Sequence, residues 1–257
     1  MRSPVTGNQL SASLTLALQL VASLPASAAA VPTRDQAKMA VALLPLAGVL
    51  VGAVPAAVWL MAIRLWTAQP LVAPALTLAA AALTTAGRSL GDLGRSADGL
   101  AAGGDRPFAF AVMRDPRRGA AGIVAIAVAV ALRLAFVSAL APASAVLAII
   151  LASALGRWVT AFAISAFPQA SGAGAGPESG HGFADSGPNE FLAASVLVIA
   201  CAALLPTRGL LTMVGVGAVA APIAQSLFKR LGGLNRALSV GLGEIGEIVA
   251  LACLAIR

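Results

Sequence analysis

Apolar runs of 15 to 26 residues alternate with short polar intervals along almost the whole chain, at 11–30, 39–64, 71–86, 123–140, 143–167, 191–205, 210–228 and 242–256. A helix needs about 20 apolar residues to cross the hydrocarbon core of a bilayer. The pattern therefore predicts an all-α fold, a polytopic integral membrane helical bundle in which residues 1–257 form one membrane domain with about seven or eight spans. Residues 11–30 end in small residues, as a signal peptide would, but Arg2 is the only charge before them and Pro25 interrupts the run. A retained segment, bent or re-entrant, fits that better than a cleaved one. Pro45 and Pro55 predict a kink in 39–64, and Gly48 with Gly52 predicts a small-residue packing face. Trp59 and Trp66 suit an interface belt. Arg133 and Arg157 fall inside spans. Each costs about 2.5–3.5 kcal/mol in hydrocarbon, so each must face protein or a polar cavity, or reach the interface.

The composition supports this picture. Hydrophobic residues make up 59% of the 257 and charged residues only 11%, with mean hydropathy +0.92, too little charge to cover a water-soluble surface. The net charge of +7 would suggest nucleic acid in a soluble protein. Here it follows the positive-inside bias instead, and no nucleic-acid partner is expected. Cys201 and Cys253 sit singly in apolar runs and read as buried hydrophobes.

Two polar intervals stand out. Residues 87–122 carry six of the seventeen basic and four of the ten acidic side chains, and read as the main cytoplasmic loop. Residues 169–190 read as a Gly/Ser-rich loop, with His181 in it. If all eight runs cross, these two intervals share a face with Arg34, Lys38 and the basic 229–236 segment, and that face is cytoplasmic. In a bacterial cell this means the inner membrane. The candidate carboxylates in the main loop are Asp92, Asp98, Asp105 and Asp115, set beside Arg114 and Arg117. Carboxylates that hold Mg²⁺ beside arginines that clamp phosphate oxygens are what phosphoryl transfer needs. A solvated loop whose charges only set topology is the plain alternative. Glu244 and Glu247, three apart, share a helical face near the start of the last run. They could reach a metal, or simply mark where that helix meets the interface.

The order of these blocks resembles the adenosylcobinamide-GDP ribazoletransferase family, also called cobalamin-5'-phosphate synthases. The resemblance rests on Leu18-Gln19-Leu20 with Leu24-Pro25, Leu44-Pro45-Leu46-Ala47-Gly48 with Gly52, and Ser96-Ala97-Asp98-Gly99. It continues through Met113-Arg114-Asp115 with Arg117, Gly119 and Gly122, then Arg133, Gly232-Gly233-Leu234 and the Glu244/Glu247 pair. It implies a membrane enzyme that joins adenosylcobinamide-GDP to α-ribazole or its 5'-phosphate, releasing GMP with Mg²⁺. Other cobalamin-synthesis proteins and membrane lipid are the further partners implied. Carried over, Asp98 and Asp115 are metal residues, Arg114 and Arg117 stabilise the transferring phosphate, and Glu244 and Glu247 assist a metal or the attacking hydroxyl. The chain departs from the family pattern at Ser89, Gly91 and Arg95, and at Asn235-Arg236-Ala237, where a histidine and several carboxylates are expected. Asp92 is one place out of register. These losses also fit a catalytically degenerate member that binds a corrinoid or organises partners in the membrane. A transporter is a third reading, though no inverted repeat is evident.

Overall fold

The computed structural model describes residues 7–22, 33–170 and 186–256. Among them are eleven helices: α1 (Gly7–Val21), α2 (Arg34–Ala42), α3 (Leu44–Leu65), α4 (Val72–Thr85), α5 (Arg88–Ala101), α6 (Arg106–Arg114), α7 (Ala120–Ala139), α8 (Ala145–Ala166), α9 (Pro188–Ala202), α10 (Pro206–Leu231) and α11 (Arg236–Ala255). The protein is an all-α, multi-pass membrane bundle. Five helices, α3, α7, α8, α10 and α11, are long and apolar enough to cross a bilayer. Shorter apolar helices occupy 9–21, 72–85 and 188–202. Residues 171–185, and with them His181, lie outside the described residues, as do 23–32.

α8 is the centre of the bundle. It is buried along almost its whole length and packs against α3, α9 and α11. In a bilayer, lipid is as apolar as leucine, so helices associate through close packing at small residues. That is how α3 and α8 meet. A side chain at Gly48 would fall 2.7 Å from the Ser153 carbonyl oxygen, and one at Gly52 would fall 2.8 Å from Ser153 Cβ. α8 and α11 meet the same way, since a side chain at Gly156 would fall 2.8 Å from the Gly243 carbonyl oxygen. The expected small-residue face at Gly48 and Gly52 is this contact. The outer faces carry Leu50, Met61, Leu83, Ile123, Val128, Leu192 and Val214, all exposed, as lipid-facing positions should be.

Several elements differ from the sequence expectation. The 39–64 run is two helices, because Pro45 in the first turn of α3 cannot donate to a preceding turn and suits a helix start. Pro55 does lie inside α3. Trp59 is buried in the core, while Trp66 at the end of α3 is exposed. The largest difference is at 87–122. This interval, read as a loop, is helical over most of its length. In α5 the buried positions Ser89, Asp92, Leu93, Ser96 and Gly99 recur at helical spacing on one face. A left-handed turn at Ala86 and Gly87, φ 46° and 66°, reverses the chain from α4 into α5. Asp105 is the N-cap of α6, accepting from the Phe108 N–H at 3.0 Å.

The polar ends gather. α5 lies against α6, α7 and α11. Gln169 and Leu234 form a short parallel bridge, with the Ala170 N–H donating to the Leu234 carbonyl at 2.8 Å. Arg230 donates to the Leu100 carbonyl at 2.9 Å, and the Arg106 guanidinium lies against Gly232. α10, about 39 Å long by its 26 residues, outruns the roughly 30 Å hydrocarbon core, which leaves room for its Lys229–Arg230 end to stand at this polar face.

Candidate functional site at the polar end and in the bundle core

The first centre is at the polar end. Asp98, near the end of α5, is buried and turned toward the start of α7. Its carboxylate accepts the Gly119 N–H at 2.9 Å and the Gly122 N–H at 2.7 Å. The first N–H groups of a helix have no partner within the helix, and a carboxylate there also meets the positive end of its dipole. Asp98 is therefore a cap supplied from another helix. Side chains at Gly119 or Gly122 would collide with this carboxylate. The glycine spacing in 119–122 exists to let it in.

Asp115 follows the last residue of α6. It is exposed, and one of its oxygens accepts the Arg117 N–H at 2.8 Å. Arg114 and Arg117 are exposed beside it, with Arg118 half-buried against Gly91. Asp92 is buried and accepts from the Arg95 guanidinium, one turn on, at 2.6 Å. The positive charge of Arg95, at a position where the family resemblance expects an acid, is absorbed by its neighbour.

The second centre lies in the middle of the bundle. α11 starts at Arg236 under an Asn235 cap, which accepts the Leu238 N–H at 2.9 Å. The helix thus begins six residues before the apolar run does. Glu244 is about 12 Å along it, inside the bundle and not at the interface. There Glu244 receives Arg133 of α7 at 2.7 Å and Arg157 of α8 at 3.3 Å. Glu247 receives the same two arginines at 3.3 and 3.7 Å. Glu244 and the Arg157 side chain are 1% and 3% exposed, so this is a largely buried, formally neutral set of four charges. It answers the placement problem of both intramembrane arginines. Its sequence signal is one arginine in each of two spans and two glutamates three apart in another.

The two centres are separate. Gly122 and Arg133 are eleven residues apart on α7, about 16 Å along its axis. Asp98 caps the helix at one point, and the Glu244/Glu247 pair grips it at the other. Among the described residues no group of three or more metal-ligating side chains converges. Each oxygen of Asp98 accepts one backbone N–H, and Asp92 is tied to Arg95.

Beside the second centre lies a cavity of about 350 Å³. Thr85 and Ser89 line it at the α4–α5 turn. Its walls are Val51, Leu78, Val130 and Leu134, and the four charged residues form one side.

A capped polar end, exposed arginines on its connections and a charge-neutral set in the bundle make this a multi-pass membrane protein with polar groups in its core. The chain belongs to the cobalamin-5-phosphate synthase family, whose model matches residues 13–255. It is 30% identical to an adenosylcobinamide-GDP ribazoletransferase of Roseiflexus sp. (strain RS-1) over 82% of this chain and 76% of that one. A Stutzerimonas stutzeri (strain A1501) protein of the same description is 29% identical over 95% of this chain and 98% of its own. A third, from Rhizobium etli (strain CIAT 652), is 31% identical over 82% of this chain. No solved structure matches the chain.

Proposed function

We propose that the protein is an adenosylcobinamide-GDP ribazoletransferase acting in late cobalamin synthesis at the cytoplasmic face of the inner membrane. The observation that carries this is the set of exposed arginines, Arg106, Arg114, Arg117 and Arg230, around the polar end of a chain of this family. Guanidinium groups meet phosphate oxygens in pairs and suit the diphosphate of adenosylcobinamide-GDP. In the reaction, a ribazole hydroxyl oxygen bonds to the phosphorus nearer the cobinamide. The bond from that phosphorus to the bridging oxygen breaks, GMP leaves with that oxygen, and the hydroxyl proton passes to solvent. Arg114 and Arg117 stabilise charge on the transferring group. Asp115 stands beside them, and magnesium in this reading arrives on the diphosphate rather than on a preformed protein site. Asp98 positions the start of α7. Glu244 and Glu247, each engaged by guanidinium groups, serve as cavity wall and not as a base.

A second reading is favoured by one observation, the engagement of Asp92, Asp98, Glu244 and Glu247 by other groups of the chain. It is a family member that binds a corrinoid without turning it over. The test is GMP release from adenosylcobinamide-GDP and α-ribazole by the reconstituted protein. Release above empty vesicles is expected. Corrinoid binding without release would replace the first reading with the second.

A further inference from the structure

We infer that the face of α5 around Gly91 binds a diphosphate directly through Arg95 and Arg118, with no metal ion between protein and phosphate. The inference deepens the ribazoletransferase reading and rests on it only for the molecule that carries the diphosphate. Arg88, Gly91, Asp92 and Arg95 recur at helical spacing and share one side of α5. A helical side chain covers the turn before its own Cα, so Arg95 reaches back along α5. Its contact with Asp92 at 2.6 Å places it there. Arg118 comes to the same turn from the connection between α6 and α7. Its Nη1 donates to the Pro116 carbonyl at 3.3 Å, and a side chain at Gly91 would begin 3.4 Å from its Nη2. Two guanidinium groups from separate elements are thus brought to one helical turn, and that turn has a glycine in its face.

The charge at this turn selects the ligand. Asp92 answers Arg95, whereas Arg118 pairs with no carboxylate among the described residues. Asp98, about two turns beyond Gly91, is turned to the start of α7. Arg88, exposed at the head of α5, adds a third cation. Three guanidinium groups about one carboxylate repel a free divalent cation and draw in an anion. The Arg95 side chain is 35% exposed and Arg118 is half-buried, so both are held by the fold and still reachable from solvent. A planar guanidinium meets phosphate oxygens in pairs, and two of them held in place suit the two phosphates of a diphosphate. Magnesium that arrives on the diphosphate stays with the phosphate oxygens, and the grip of the protein does not pass through it.

Calorimetric titration of inorganic pyrophosphate into the purified protein, in phosphatidylcholine nanodiscs with EDTA, tests this without turnover. Saturable binding is expected, and it should persist when magnesium replaces EDTA. Arg118→Gln should weaken it by roughly tenfold or more, as the loss of a charge-assisted contact does, with thermal unfolding unchanged. Gly91→Asp removes no arginine but sets a carboxylate against the Arg118 guanidinium, and should weaken it as much. Arg208→Gln, at the other end of α10, should bind as wild type does. Binding that requires magnesium, or wild-type affinity in Arg118→Gln or Gly91→Asp, would overturn the assignment. So would displacement of pyrophosphate by phosphatidylglycerol in the disc, which would make the site that of a lipid headgroup. Metal-free binding with no GMP release would leave this inference standing and remove the transferase reading. GMP release unchanged in both variants would do the reverse.

Discussion

The carboxylate of Asp98 holds the backbone N–H of Gly122 at 2.7 Å across 24 positions of sequence, and a side chain on that glycine would occupy the carboxylate's place. The aspartate and the glycine are two halves of one contact. It pins the end of α5 to the start of α7, where the arginine-bearing connection 114–118 emerges. Losing a helix cap of this kind costs about 0.5–2 kcal/mol. Asp98→Ala is therefore expected to unfold at lower temperature and to raise hydrogen exchange at 119–123. Gly122→Ala should do the same by pushing the carboxylate aside. Because both remove the same contact, the double variant should lose less than the sum of the two, and an additive result would break the pairing.

The four-charge set makes an asymmetric prediction. Glu244→Gln leaves two buried arginines with one full carboxylate, and removing one partner of a buried pair costs about 3–5 kcal/mol. Arg133→Met combined with Glu244→Met restores neutrality with similar volume. The double variant should be closer to wild type in thermal unfolding than either single variant. If it is the least stable of the three, the charges act singly and not as a balanced set.

Arg117 is exposed and its side chain holds no helix together. Arg117→Ala should leave unfolding unchanged. It should weaken use of the diphosphate substrate by roughly 10- to 150-fold, the loss of one charge-assisted contact of about 1.5–3 kcal/mol. The defect should appear in kcat/KM for adenosylcobinamide-GDP, and equal rates at equal substrate would remove Arg117 from the phosphate site.

Gly48→Leu should separate α3 from α8, since the added atoms meet Ser153 and Ala154 backbone. Overpacking of this sort costs about 1–3 kcal/mol or more. Gly217→Ala, whose new methyl would come no closer than 3.6 Å to Trp158, should be silent. Thermal scans of the two variants side by side check the contrast.

Ala102, exposed after α5, should be labelled by an impermeant thiol reagent from the cytoplasmic side once replaced by cysteine. Labelling from the periplasmic side would invert the orientation proposed from the arginine distribution.

Hydropathy made the long spans legible, because a lipid-facing helix has to be apolar over its whole exposed length. It misplaced what is polar and helical at once. α5 carries Arg88, Asp92, Arg95 and Asp98 within fourteen residues, so it resembles a loop by composition, although its buried positions follow a helical repeat. α11 begins at Arg236, a charged residue that hydropathy assigns to a connection. The shift moved Glu244 and Glu247 from the interface to the core. Their partners lie 87 to 114 positions away on two other helices, which no local spacing encodes. Asp98 stands out in the sequence as a site candidate but not as a cap, since backbone N–H groups leave no residue signature beyond the glycines at 119 and 122.

The separation of Arg133 from Glu244 also bears on how the protein is made. At about 5–20 residues per second, roughly 6 to 22 s of translation pass between the two. During that interval α7 and α8 carry buried-type arginines without their acids, and must wait near the insertion machinery or with their guanidiniums drawn toward the headgroups. α11, which leaves the ribosome after both of them, is the helix that lets the two arginines settle. Truncation before residue 244 should therefore leave a chain that the quality-control proteases of the membrane recognise by its unmatched charge.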